Sequence, residues 1–215
     1  MPWHPLERAA LAHALREAGP DAPTLCEGWA ARHLAAHVVL RETAPLAAAG
    51  VAVRPLGRYT ERRIAERAAL ADEPGGWDEL VGQVEQGPGR LSPMSWMGDA
   101  ANLLEFFIHT EDVRRGAGPV PAQTLAPEHT QAIWDRLARQ ARLLYRRAGV
   151  GVVLVVPGGP RRGVRRPPSG AGTVVLRGEV GELALHAFGR ESAARVDVLG
   201  HPDDVERLQE SPTGI

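Results

Sequence analysis

The sequence predicts an α+β protein, with a helical bundle over residues 1–149 and a small α/β domain over residues 150–215. Three observations carry that expectation. Apolar residues recur at spacings of three and four through most of the first 149 positions, and Gly- and Pro-rich stretches separate the runs, the pattern of antiparallel amphipathic helices. The texture then changes at residues 150–156, a run of small β-branched side chains ended by Pro157-Gly158-Gly159-Pro160. The chain of 215 residues, 44% hydrophobic and 24% charged, has the make-up of a globular protein with an ample core.

Taken in order, residues 6–18 form a first helix with Leu6, Ala10, Leu11, Ala14 and Leu15 on its apolar stripe, closed by Gly19-Pro20. Residues 21–28 are a turn-rich loop, and residues 29–44 a second helix. There Leu34, His37, Val38 and Arg41 share the inward stripe. Residues 45–55 read as a loop or frayed helix, and residues 56–72 as a polar helix with i,i+4 ion pairs. A break at Gly75-Gly76, a short helix over 77–86 and a Gly/Pro turn over 87–93 lead to a helix expected to start near Met94 and stop at Gly116. Residues 128–148 form a further amphipathic helix through Ile133, Trp134, Leu137, Ala141, Leu144 and Tyr145. Beyond the strand at 150–156, the arginine-rich residues 161–172 read as a loop, 173–177 as a strand, 179–188 as a helix, 195–199 as a strand and 202–209 as a last short helix.

Bulk properties exclude several classes. A net charge of −1 provides no field for nucleic acid or anionic lipid, and no apolar run approaches the ~18 residues a membrane span needs. The N-terminus lacks the basic start and apolar core of a signal peptide. The single cysteine, Cys26, allows no internal disulfide, and a cytoplasmic location is expected. All 25 basic residues are arginine, which removes Schiff-base lysine chemistry.

The chemistry concentrates in residues 102–115. One turn apart on a helix, Glu105 and His109 project together, with Asp112 flanking them. An acid and an imidazole so placed can chelate a borderline metal such as zinc, or can satisfy each other as a buried pair. His37, inward on the second helix, reads as a satisfied core histidine before a third ligand, unless other candidate ligands converge on it. His33 lies one turn before it, nearer the helix start, where exposure is expected. Helices facing each other in a bundle can bring ligands together, and two imidazoles with one carboxylate leave a fourth tetrahedral position open. Periodicity gives faces and not distances, so both readings stand at this point.

A resemblance adds to this. Leu25-Cys26-Glu27-Gly28-Trp29, Arg32, Leu34-Ala35-Ala36-His37 and Arg41-Glu42 resemble the second-helix signature of the DinB-like metalloproteins, and more closely the actinobacterial branch related to mycothiol-dependent maleylpyruvate isomerase. Asn102, Glu105-Phe106-Phe107-Ile108-His109 and Glu111-Asp112-Val113-Arg114-Arg115 resemble its second signature, and residues 174–200, with Phe188-Gly189-Arg190, its small α/β tail. The resemblance implies a DinB-like four-helix bundle that holds zinc or another divalent metal through His37, Glu105 and His109. It also implies mycothiol or a similar low-molecular-weight thiol as cosubstrate. Such a thiol, transferred to a small electrophilic substrate or promoting its isomerisation, makes the expected activity that of a transferase or isomerase. Within it, Asp112 would orient His109, and Arg190 would either bind a substrate carboxylate or stand as a surface arginine at a helix end. Two positions depart from the pattern: Thr110 stands where a second histidine is expected, and His33 where an acid is expected. The alternatives are a metal-binding module without turnover and a bundle whose acid and histidines merely satisfy each other. Cys26 reads as a small buried residue before a nucleophile.

Overall fold

The computed structural model describes residues 2–43, 57–89 and 92–211, so the connection expected over residues 45–55 lies outside the described residues. The chain divides into two compact units, Met1–Val120 and Pro121–Ile215. Together they make the expected α+β protein: a DinB-like helical bundle followed by a small α/β unit.

In the first unit the helices are α1 (His4–Ala18), α2 (Ala31–Thr43), α3 (Gly57–Ala68, continued by a 3-10 turn at Ala69–Asp72), α4 (Gly76–Gln86), α5 (Pro93–Met97) and α6 (Asp99–Arg115). One core cluster is shared by four of them: Leu11 and Leu15 from α1, Leu34 and Val38 from α2, Leu80 and Val84 from α4, Phe106 and Val113 from α6. Those are the staves of the bundle, since each contributes an apolar stripe to that shared cluster. A smaller cluster, Ala36, Leu40, Ile64 and Ala68, fixes α3 to the outer side of α2. Polar side chains also tie the staves. Arg8 of α1 pairs with Glu42 of α2, donates to the Val84 carbonyl at 2.7 Å, and lies 4.5 Å above the Phe106 ring.

The segment expected to start one helix near Met94 is instead broken at Gly98, whose φ of 52° interrupts the helical backbone. Asp99 then opens α6 and accepts the backbone N–H groups of Trp3 and His4 at 3.0 and 2.8 Å. At its other end α6 stops at Arg115, as expected. Gly116 is required there for closeness rather than for a left-handed turn: its φ is −60°, and a Cβ would sit 1.9 Å from the Pro23 carbonyl oxygen.

The second unit opens with α7 (Pro127–Leu144), then β1 (Gly151–Val155), β2 (Arg161–Arg165), β3 (Thr173–Arg177), α8 (Val180–Ala187), β4 (Asp197–Leu199) and α9 (Pro202–Gln209). The strand order is β2-β1-β3-β4, with β1 and β3 parallel and both outer pairs antiparallel. Residues 161–165, expected in a loop, are therefore an edge strand. Its exposed arginines hid it from a reading that looks for apolar alternation, and charge on an edge strand discourages pairing with other chains. Helix α7 packs on α8 and β2, burying Ile133, Leu137, Ala141 and Leu144. Packing thus divides the chain before α7, whereas the change of texture falls after it. An amphipathic helix shows in its sequence that it has a buried face, but not against which neighbour.

Candidate metal centre

Glu105, His109 and Asp112 occupy one face of α6, and His37 reaches that face from α2. His37 Nε2 and His109 Nε2 each stand 3.3 Å from the same carboxylate oxygen, Glu105 Oε1. The three ligand atoms all lie within 4.8 Å of one another. The two imidazole rings meet edge to face, with centroids 5.4 Å apart and planes at 77°. The side chains are largely enclosed, with exposures of 12% for His37, 21% for Glu105 and 10% for His109.

Distances separate two kinds of contact here. His109 Nδ1 lies 2.8 Å from Asp112 Oδ2, the length of a full charge-assisted hydrogen bond. The contacts to Glu105 are about half an ångström longer. Two ligands bonded at about 2.0–2.1 Å to one tetrahedral ion stand roughly 3.3 Å apart. The spacing around Glu105 Oε1 is that of ligands around a shared cation, and two imidazoles with a carboxylate suit a borderline divalent ion. With Asp112 ionised, Nδ1 of His109 carries the proton and the Nε2 lone pair is left for the ion, the arrangement that metal-binding histidines commonly have.

Arg41, one turn beyond His37, completes the electrostatics. Its Nε lies 3.3 Å from Glu105 Oε1, while Nη1 donates to Asn102 Oδ1 and Nη2 to the Ala101 carbonyl, both at 2.9 Å. Burial alone pushes the Glu105 carboxyl up, but hydrogen bonds from His109 and His37 and the charges of His109 and Arg41 outweigh it and hold the group well below its ordinary range. Burial pulls His109 down, and its bonds to Asp112, Cys26 and Glu105 overcome that to hold it well above the usual histidine range. Without a cation, Glu105 and His109 favour each other's charged forms.

The two departures from the expected pattern have structural roles. His33 Nδ1 accepts the Ala30 backbone N–H at 3.2 Å, and Ala30's carbonyl accepts the first bonds of α2. That is the reciprocal arm of a capping box, which an acid at the same position performs equally well. Thr110 Oγ1 donates to the Phe106 carbonyl one turn back, at 2.8 Å. Arg190 belongs to the second unit, where it donates to the Phe188 carbonyl at 2.6 Å. Arg41 and Trp29 were not singled out as site residues. Trp29's ring lies 5.3 Å from that of His37. Both stand in the second-helix signature, and Arg41 also shares the inward stripe with His37, one turn after it.

A helical bundle enclosing two imidazoles, a carboxylate and a buried aspartate bonded to one of the imidazoles makes a DinB-like scaffold with a candidate cation site. Among solved structures the chain is similar to the crystal structure of the mycothiol-dependent maleylpyruvate isomerase, at 19% identity over 91% of this chain and 89% of that one, with a TM-score of 0.55. At that identity the likeness establishes a shared fold. No protein-family model matches the sequence, and no curated protein matches it.

Proposed function

We propose that this protein is a divalent-metal enzyme, with zinc the expected ion, that uses a low-molecular-weight thiol such as mycothiol to modify or isomerise a small electrophilic substrate. The observation that carries this reading is the convergence of His37, Glu105 and His109 within 4.8 Å, with one tetrahedral position left over. The fold shared with a mycothiol-dependent isomerase supports the choice of thiol.

When bound, zinc lowers the pKa of a thiol in that remaining position, so that a thiolate is available at neutral pH. The chain's own residues prepare for this. By holding His109 Nδ1 at 2.8 Å, Asp112 would leave Nε2 as the ligand atom for a bound cation. Arg41 adds its charge to the bonds from His109 and His37 that keep Glu105 ionised, and is itself held in place by donating through its other nitrogens to Asn102 and Ala101. Trp29 sets its ring beside that of His37, 5.3 Å between centroids.

The test is thiol consumption against a panel of small electrophiles, run on zinc-loaded protein beside the His37→Ala variant. The native protein is expected to consume thiol at least ~100-fold faster, a loss in the variant typical of removing a metal ligand or its support. Equal rates would remove the proposal. Stoichiometric zinc with no thiol affinity would identify a metal-binding module without turnover.

A further inference from the structure

The loop between α1 and α2 lies against the C-terminal half of α6. Leu25 N–H donates to the Asp112 carbonyl at 3.0 Å, satisfying one of the last carbonyls of that helix. Gly116 admits the Pro23 carbonyl where no larger residue would. Thr24 Oγ1 donates to the Trp29 carbonyl at 2.7 Å and accepts the Cys26 N–H at 3.2 Å, which gives the loop a fixed internal shape. Held this way, the loop places Cys26 Sγ 3.2 Å from Asp112 Oδ2, the oxygen that also accepts from His109 Nδ1.

We infer that Cys26 is a positioning residue, whose thiol donates to Asp112 and thereby sets the direction in which Asp112 holds His109. The inference rests on the reading of His37, Glu105 and His109 as metal ligands. Asp112 is fully buried, so its carboxylate depends on donors from the chain for its orientation. Two donors meeting at Oδ2 restrain the direction of that oxygen more tightly than His109 alone does. An imidazole bonded to a less restrained carboxylate presents Nε2 over a range of angles, which weakens every bond that Nε2 makes. The same loop carries Trp29, whose ring lies against His37, so one segment braces both histidines from outside the ligand set. A nucleophilic role for Cys26 is not needed to explain where it stands, because its sulfur is engaged with the Asp112 carboxylate and with His109 in front of it.

The experiment compares the full chain with Cys26→Ala, which removes the donor, and Cys26→Ser, which keeps one. Zinc affinity is read by competition with a chromophoric chelator. In the metal-free proteins the His109 Nδ1–H is followed by proton–nitrogen NMR for its position and its exchange with solvent. Cys26→Ala is expected to weaken zinc binding on the order of tenfold and to speed exchange of the Nδ1 proton, in the range seen when a partner behind a metal ligand is lost. Cys26→Ser should restore both to near the native values. Native zinc affinity together with an unchanged Nδ1 signal in Cys26→Ala would overturn the inference. Equal losses in the two variants would also overturn it, since the sulfur would then matter for its volume. Failure of the native chain to take up zinc would refute the functional reading instead, and the NMR comparison would still decide the role of Cys26.

Discussion

Glu7 is 1% exposed on α1, and burial, with the nearby charge of Glu111, pushes its carboxyl up to about 7 from 4.5. A carboxyl raised in the folded state binds its proton more tightly there than in the unfolded chain. Stability is therefore greatest below about pH 4.5 as far as this group is concerned, falls as pH rises toward 7, and stays at its lower level above that. The full difference is on the order of 3 kcal/mol, from 1.36 kcal/mol per unit. Glu7→Gln is expected to raise stability above pH 7 by up to about that amount and to leave it unchanged near pH 4. Urea unfolding at the two pH values checks this, and an equal effect at both would show that Glu7 is not neutral in the fold. Nothing in the sequence marked Glu7, because a single acid near the start of an amphipathic helix reads as a favourable charge for the helix dipole. His37, Glu105 and His109 were legible as faces of helices, since the 3.6-residue period fixes direction. Their separation was not legible, because it depends on how α2 and α6 are spaced by the core residues between them.

At the scale of elements, two glycines in helical surroundings make opposite predictions. Gly82, inside α4, has nothing within 4 Å of the place a Cβ would occupy. Gly82→Ala is expected to stabilise the protein by roughly 0.5–1 kcal/mol, through reduced freedom of the unfolded chain and better helix propensity. Gly116 follows α6 directly, and an added Cβ would overlap the Pro23 carbonyl at 1.9 Å. Gly116→Ala must push the loop off α6, at a cost of about 1–3 kcal/mol, and it should weaken zinc binding because the loop carries Cys26 and Trp29. Denaturant unfolding with a zinc titration on both variants reads the pair. A Gly116→Ala variant with native stability and native affinity would show that the loop is not held by this contact. The sequence identified Gly116 as a helix stop, which it is, but for a reason that only the packing of another segment supplies. The helix break at Gly98 and the edge strand β2 were missed on similar grounds. A positive φ at one glycine and the pairing of an arginine-rich segment are both settled by neighbours far along the chain.

At the scale of the molecule, the three candidate ligands and the groups behind them all belong to Met1–Val120, and the sheet belongs to Pro121–Ile215. A ligand that binds only the folded form stabilises whatever must unfold to release it, by about 2.7 kcal/mol at a hundred times its dissociation constant. Zinc bound through α2 and α6 therefore raises the free energy of any opening that separates those helices. It does nothing for openings confined to strands β1 to β4. Amide hydrogen exchange with and without saturating zinc is expected to show slowing in α2, α6 and the loop carrying Cys26, by about 100-fold where exchange requires the helices to part. The amides of β1 and β3 should exchange at unchanged rates. Slowing confined to the sheet would place the cation elsewhere in the chain. No slowing anywhere, at zinc concentrations that saturate a measured site, would mean that the site forms without constraining the bundle, and the geometric argument for three ligands from two helices would fail.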